Sequence, residues 1–228
     1  MNIHDRIIHI RQDIPDTVKL IAVTKQVSEA AMRQAYAAGI RDFGESRIQE
    51  AQLKQSQLQD LPDITWHLIG RLQANKAKKA LELFQWIHSV DNIKLAQKLD
   101  KLAEEIGCKP QVCLQVKIES DPNKTGWSVP QLLEDLPQLN ECINLQICGL
   151  MTIPPLGLDE AEIRSIFDRT YELSQEIQKQ NWSNLQQMQL SMGMSDDYKI
   201  AITSGATMVR LGRILFGERA MSEGQEKG

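Results

Sequence analysis

No stretch of this 228-residue chain approaches the ~20 consecutive apolar residues that a membrane-spanning helix requires, although 42% of its residues are apolar. The first segment, MNIHDRIIHIRQD, lacks the apolar core and small-residue cleavage site of a secretory signal. Ile3, Ile7, Ile10 and Ile14 fall instead on one side of a short amphipathic helix. Positive charge is not in excess: 26 Lys and Arg stand against 30 Asp and Glu, for a net charge of −4. That balance argues against a general binder of nucleic acid or anionic membranes. Cysteine is scarce. None of Cys108, Cys113, Cys142 and Cys148 makes a CxxC pair, and Cys113 and Cys148 sit inside apolar runs, as buried free thiols of a reducing cytoplasm do. His4, His9, His67 and His88 show no metal-ligand spacing, so no metal site is expected. No linker rich in Gly, Pro or Ser interrupts the chain. Residues 1–220 therefore read as one domain, followed by a frayed polar tail at 221–228. No strong interface stripe stands out, and a cytoplasmic monomer is the expectation.

What the chain does have is a regular alternation of two periods. Short apolar runs occupy 18–24, 40–44, 65–70, 86–91, 111–118, 145–153, 188–193 and 208–213. Helical patterns fill 28–38, 46–57, 74–83, 92–106, 130–139, 159–180 and 196–203. In NIKLAQKLDKLAEEIG, for example, Ile93, Leu95, Leu99, Leu102 and Ile106 lie along one face, and Gly107 is a helix stop. Strand alternating with helix implies parallel strands joined by right-handed crossovers. Eight such units in a chain of this length predict an α/β fold of the (β/α)8 TIM-barrel type.

In such a barrel the C-terminal strand ends carry the site. The first run, VKLIAVTK, ends at Lys25. A lysine walled by apolar neighbours is partly desolvated, which favours the neutral amine that forms Schiff bases with aldehydes. The block LSMGMSDDYKIAI places Ser191, Met192, Gly193 and Ser195 between a strand and a helix start. Gly193 allows close backbone approach, and exposed N–H groups at a helix start bind phosphate. The same residues also describe an ordinary capped helix, with Asp196 and Asp197 as its acidic first turn. In MVRLGRIL, Arg210 lies within an apolar strand, so it either alternates outward or holds a fixed partner. A lysine that anchors an aldehyde, with phosphate-type loops after the last two strands, suits a phosphorylated aldehyde, of which pyridoxal 5′-phosphate (PLP) is one.

The segments AVTK, FGESRIQE, WHLIGRLQANK, HSVD, GLMTIPP, LSMGMSDDYKIAI and GATMVRLGRILFGER run in order from residue 22 to 219. In these the chain resembles the pyridoxal phosphate homeostasis protein family, and a cyanobacterial member among them. The resemblance implies a barrel like the N-terminal domain of alanine racemase, with PLP at its mouth as an aldimine of Lys25. It implies that Gly193, Ser195, Gly212 and Arg213 lie near the phosphate, and that Arg210 faces the pyridine nitrogen. Ser46 stands where many members carry asparagine. Ser191, Met192 and Met151 complete the expected surroundings of the cofactor, with Thr152 beside Met151. His67 either lines the pocket or is a satisfied interior histidine. Lys124 is the runner-up amine should PLP migrate from Lys25, and otherwise an ordinary lysine of a surface loop.

An arginine opposite the pyridine nitrogen disfavours its protonation and weakens PLP as an electron sink. Only 16 residues follow Gly212, too few for a further domain bringing a second base. Of Tyr36, Tyr171 and Tyr198, the first two fall in helical patterns and Tyr198 near the phosphate-type loop. The expectation is a non-catalytic PLP carrier acting in vitamin B6 and amino-acid homeostasis, with PLP-dependent apo-enzymes as partners. A low-activity amino-acid racemase is the alternative, and a Schiff-base aldolase a more distant one. Arg71, Lys76, Lys78 and Lys79 in GRLQANKAKK read as a solvated helix face, with a docking surface for an acidic partner as the minority reading.

Overall fold

The computed structural model describes residues 2–121, 123–185 and 188–217. Strands β1 (Lys19–Val23), β2 (Asp42–Glu45), β3 (Thr65–Leu68), β4 (Trp86–Val90) and β5 (Gln111–Lys117) follow one another around the barrel. A two-residue strand, β6 (Trp127–Ser128), interrupts the series, which resumes with β7 (Gln146–Met151), β8 (Gln189–Ser191) and β9 (Met208–Leu211). Pairing of β4 with β5 and of β1 with β9 closes the eight main strands, all parallel, into a (β/α)8 TIM barrel. The short β6 pairs only with the end of β5, through Val116 and Lys117. Two residues carry no period, so this strand left no sign in the sequence.

The helices are α1 (Ile3–Gln12), α2 (Glu29–Ala37), α3 (Ile48–Gln57), α4 (Ala77–Leu83), α5 (Ile93–Ile106), α6 (Val129–Asn140), α7 (Glu160–Lys179), α8 (Tyr198–Thr203) and α9 (Arg213–Phe216). Their starts follow local chemistry. The side chain of Asn92 accepts from the Leu95 N–H to cap α5, and Asp159 with Glu162 forms a capping box on α7. Leu95 and Leu99 are buried as the pattern predicts, whereas Ile106, at the last turn of α5, is exposed. The strand expected at 208–213 ends at Leu211, and the chain turns at once into α9. The tail expected at 221–228 lies outside the described residues.

Alternation along the strands divides the core in two. Leu20, Ala22, Phe43, Val209 and Leu211 belong to the large cluster shared with the helices, while Ile21, Trp86, Cys113, Cys148, Met151 and Met208 form a separate cluster inside the barrel. Among the described residues no helix is long and apolar enough to cross a membrane.

Candidate functional site at the barrel mouth

Lys25 stands two residues beyond β1, half-buried at the C-terminal mouth. The chain turns there: the Thr24 N–H still donates to Gly44 O in strand fashion, at 2.9 Å, and the Val27 N–H returns to Thr24 O, also at 2.9 Å. Between them Gln26 adopts φ 61°, a left-handed conformation uncommon for a side chain of its size. Thr24 itself is fully buried, its hydroxyl donating to Glu45 Oε1 at 2.6 Å.

Arg210 points into the barrel and is 4% exposed. Nη1 donates to both the carbonyl oxygen and the hydroxyl of Ser191 at 2.6 Å, and Nη2 donates to the carbonyl of Thr152 at 3.1 Å. Among the described residues no carboxylate lies within ion-pair distance of it. Burial brings its pKa down to about 10, against the more distant attraction of Asp197 and Cys113. The guanidinium therefore stays charged at neutral pH, its direct partners being the neutral dipoles of Ser191 and Thr152.

Behind Arg210 a line of polar side chains runs down the barrel. His88 Nδ1 meets Ser191 Oγ at 2.8 Å, His88 Nε2 meets His67 Nδ1 at 2.9 Å, and His67 Nε2 meets Asp42 Oδ1 at 2.9 Å. Lys19 Nζ donates to the same Asp42 oxygen at 2.8 Å. Burial holds both imidazoles below their ordinary range, His88 well below it. Burial also works against the Asp42 carboxylate, but the bonds from His67 and Lys19 outweigh it and pull its pKa down. With neutral imidazoles and an ionised carboxylate, only one donor assignment satisfies every contact. Arg210 donates to Ser191 Oγ, whose proton goes to His88 Nδ1; His88 Nε2–H donates to His67 Nδ1, and His67 Nε2–H to Asp42. His67 is thus a satisfied interior histidine.

The loops after β8 and β9 bring Gly193, Ser195, Gly212 and Arg213 to the same end. Gly193 has φ 94°, and a Cβ added there would lie 2.6 Å from Ala201 Cβ, so only glycine fits. Its carbonyl accepts from the Arg210 N–H at 3.0 Å, tying the loop after β8 to strand β9. Asp197 Oδ1 accepts from the Met194 N–H at 2.5 Å, so its carboxylate serves the turn itself. The exposed Asp196 pairs with Arg213. Met151 lies in the interior cluster, whereas Met192 packs in the layer between strands and helices. Half-buried Ser46 presses its backbone against Gly70, where any Cβ would come within 2.2 Å of Ser46 O. Lys124 reaches the mouth but is engaged, donating to the carbonyls of Ile153 and Pro154 and lying 3.6 Å from Asp121. The tyrosines point elsewhere: Tyr198 is buried with its hydroxyl 3.2 Å from Asp13, just after α1, Tyr36 donates to Asp63, and Tyr171 is on α7.

Reasoning from sequence did not single out His88, Asp42, Glu45 or Lys54. Two of them left a signal: His88 alternates with Trp86 along β4, and Lys54 stands four residues after Glu50 on α3.

The sequence model of the alanine racemase N-terminal domain family matches residues 1–220. A pyridoxal phosphate homeostasis protein of Synechocystis sp. is 53% identical over 90% of this chain and 94% of its own length. The chain belongs to the pyridoxal phosphate homeostasis protein family. A further member, from Pseudomonas aeruginosa, is 46% identical over 90% of this chain and 86% of its own. Among solved structures, PipY of Synechococcus elongatus PCC7942 with PLP bound superposes with a TM-score of 0.91 at 50% identity, covering 95% of this chain and 100% of that one. Alanine racemase of Clostridium difficile 630 shares the fold at 15% identity, with a TM-score of 0.76 over 97% of this chain and 58% of that one.

Proposed function

We propose that the barrel mouth binds PLP and that the protein holds and releases the cofactor in intracellular PLP and amino-acid homeostasis, without itself turning over an amino acid. The observation that carries this reading is the meeting, at one end of the barrel, of a half-buried lysine after β1, a glycine-built turn after β8 and a buried arginine with no carboxylate partner among the described residues. PLP supplies an aldehyde, a flat pyridine ring and a phosphate. Lys25 carries the aldehyde carbon as an aldimine. The turns at Gly193–Ser195 and Gly212–Arg213 offer backbone N–H groups to the phosphate. Met151 packs in the barrel interior below.

Arg210 sets the electronic character of the ring. All of its hydrogen-bonding groups are donors, so it pairs with an unprotonated pyridine nitrogen and leaves the ring a poor electron sink. Two relatives carrying the homeostasis name and a PLP-bound neighbour at 50% identity support PLP binding and a role in PLP homeostasis. The tyrosine placements favour a carrier over a racemase, since the Tyr198 hydroxyl is turned toward Asp13. In this reading the protein is a cytoplasmic monomer that hands PLP to apo-enzymes.

The test is the absorbance spectrum of purified protein with PLP. An aldimine band should be present and should vanish in Lys25→Ala, and borohydride reduction should place a pyridoxyl group on Lys25 by peptide mass. Incubation with single L-amino acids in heavy water should show no enzymatic α-proton exchange. Fast exchange of any one of them would make the protein an enzyme.

A further inference from the structure

Behind the Lys25 turn, on the outer side of the barrel, three charged side chains meet. Lys54 of α3 is 6% exposed. Its Nζ donates to Glu45 Oε1 at 2.8 Å, to Glu50 Oε1 at 2.6 Å and to the carbonyl oxygen of Thr24 at 2.5 Å. An ammonium has three N–H groups, and here each has one acceptor. All three of its N–H groups are thus committed.

The cluster grips the backbone on both sides of Lys25. On one side the Thr24 carbonyl ends on Lys54 Nζ, and the Thr24 hydroxyl on Glu45 Oε1 at 2.6 Å. On the other, the Gln26 N–H donates to Glu50 Oε1 at 2.5 Å. Gln26 is the residue with φ 61°, and such a conformation persists where surrounding contacts over-determine it. Burying an ion cluster is a poor route to stability, because desolvation offsets most of the attraction. A tie between α3 and the barrel could have been apolar. What an apolar contact cannot do is hold a carbonyl and an N–H one residue either side of a chosen side chain.

We propose that Lys54, together with Glu45 and Glu50, is a positioning element that fixes the peptide groups flanking Lys25 and thereby holds its amine in register with Arg210 and the loops after β8 and β9. The proposal rests on the reading of Lys25 as the cofactor-bearing lysine. A reacting group displaced by about 1 Å loses much of its effectiveness, so even a small relaxation of the turn has a readable consequence.

The experiment titrates PLP into wild-type protein, Lys54→Met and the double variant Glu45→Gln/Lys54→Met, which leaves less uncompensated charge buried. Leu99→Ala, in the apolar face of α5, controls for simple destabilisation. The Lys54 variants should bind PLP about tenfold or more weakly by the aldimine band, and hydrogen exchange at the Gln26 amide should accelerate. Leu99→Ala should change neither. Wild-type affinity and spectrum in a folded Lys54 variant would overturn the proposal. If neither Lys54 variant folds, Glu50→Gln, which weakens only the half-exposed arm of the cluster, must still loosen the Gln26 amide and the aldimine; unchanged values for both would overturn it equally. Failure of wild-type protein to yield a borohydride-trapped adduct at Lys25 would instead remove the cofactor reading. The Gln26 amide would then still report whether the cluster holds the turn.

Discussion

Arg210 Nη1 lies 2.6 Å from two atoms of the same residue, the carbonyl oxygen and the hydroxyl of Ser191. Ser191 is thereby both the seat of the guanidinium and its link to His88, from which His67, Asp42 and Lys19 follow toward the opposite end of the barrel. The donors all run one way, from the cation at the mouth to the carboxylate below, an arrangement in which each bond polarises the next.

Removing the hydroxyl isolates that link. Ser191→Ala should leave the fold intact but cost about 1–3 kcal/mol, the usual penalty for orphaning a buried polar partner. Chemical denaturation of purified protein measures it, and a loss below ~0.5 kcal/mol would mean that the hydroxyl bond contributes little.

Protonation should break the line from below. Both histidines are buried and neutral in the folded protein, while in the unfolded chain each takes a proton near pH 6.5. Below that pH the unfolded state binds more protons, so stability should fall as the pH drops through 6.5 toward 5, by up to about 1.4 kcal/mol per pH unit for each imidazole. Asp42, whose pKa is lowered on folding, adds a further loss only near and below pH 4. Nitrogen NMR of the two rings at pH 7 should show both as Nε2–H tautomers. An imidazolium signal from either ring at that pH would refute the donor assignment.

The Gly193 turn should not tolerate a side chain. Gly193→Ala must take φ 94° with its Cβ 2.6 Å from Ala201 Cβ, so a destabilisation of roughly 1–3 kcal/mol is expected. On the proposed reading, binding of PLP should weaken at the same time, because the displaced turn carries the N–H groups assigned there to the phosphate. Thermal denaturation and cofactor titration on the same preparation check both halves.

Lys124 offers a contrast with Lys25. Its ammonium is committed to the carbonyls of Ile153 and Pro154. Lys124→Met should therefore retain the aldimine band that Lys25→Ala is expected to lose, and loosen the segment after β5, as hydrogen exchange would show. Loss of the band in Lys124→Met alone would make that lysine the principal amine.

The barrel and the place of Lys25 were legible in the sequence, because both depend on local chemistry. Helix caps such as Asn92, the helix period of α5 and the apolar runs of the strands are written within a few residues of one another. The turn glycine at 193 is equally local, since no other residue adopts its conformation without strain. The direction of Arg210 was implied by family resemblance but was not legible in its own segment. Strands of a parallel barrel are buried on both faces, so their uniform apolar runs do not declare which residues face inward. Nor could the partners be read. His88 and Ser191 are 103 positions apart, and Thr24 and Lys54 are 30 apart. The amino-acid sequence by itself determined the alternation of strand and helix and put a lysine at the first strand end. Only closure of the barrel decided which buried charges meet, because a buried ion is stable only where distant parts of the chain bring it hydrogen-bonding partners.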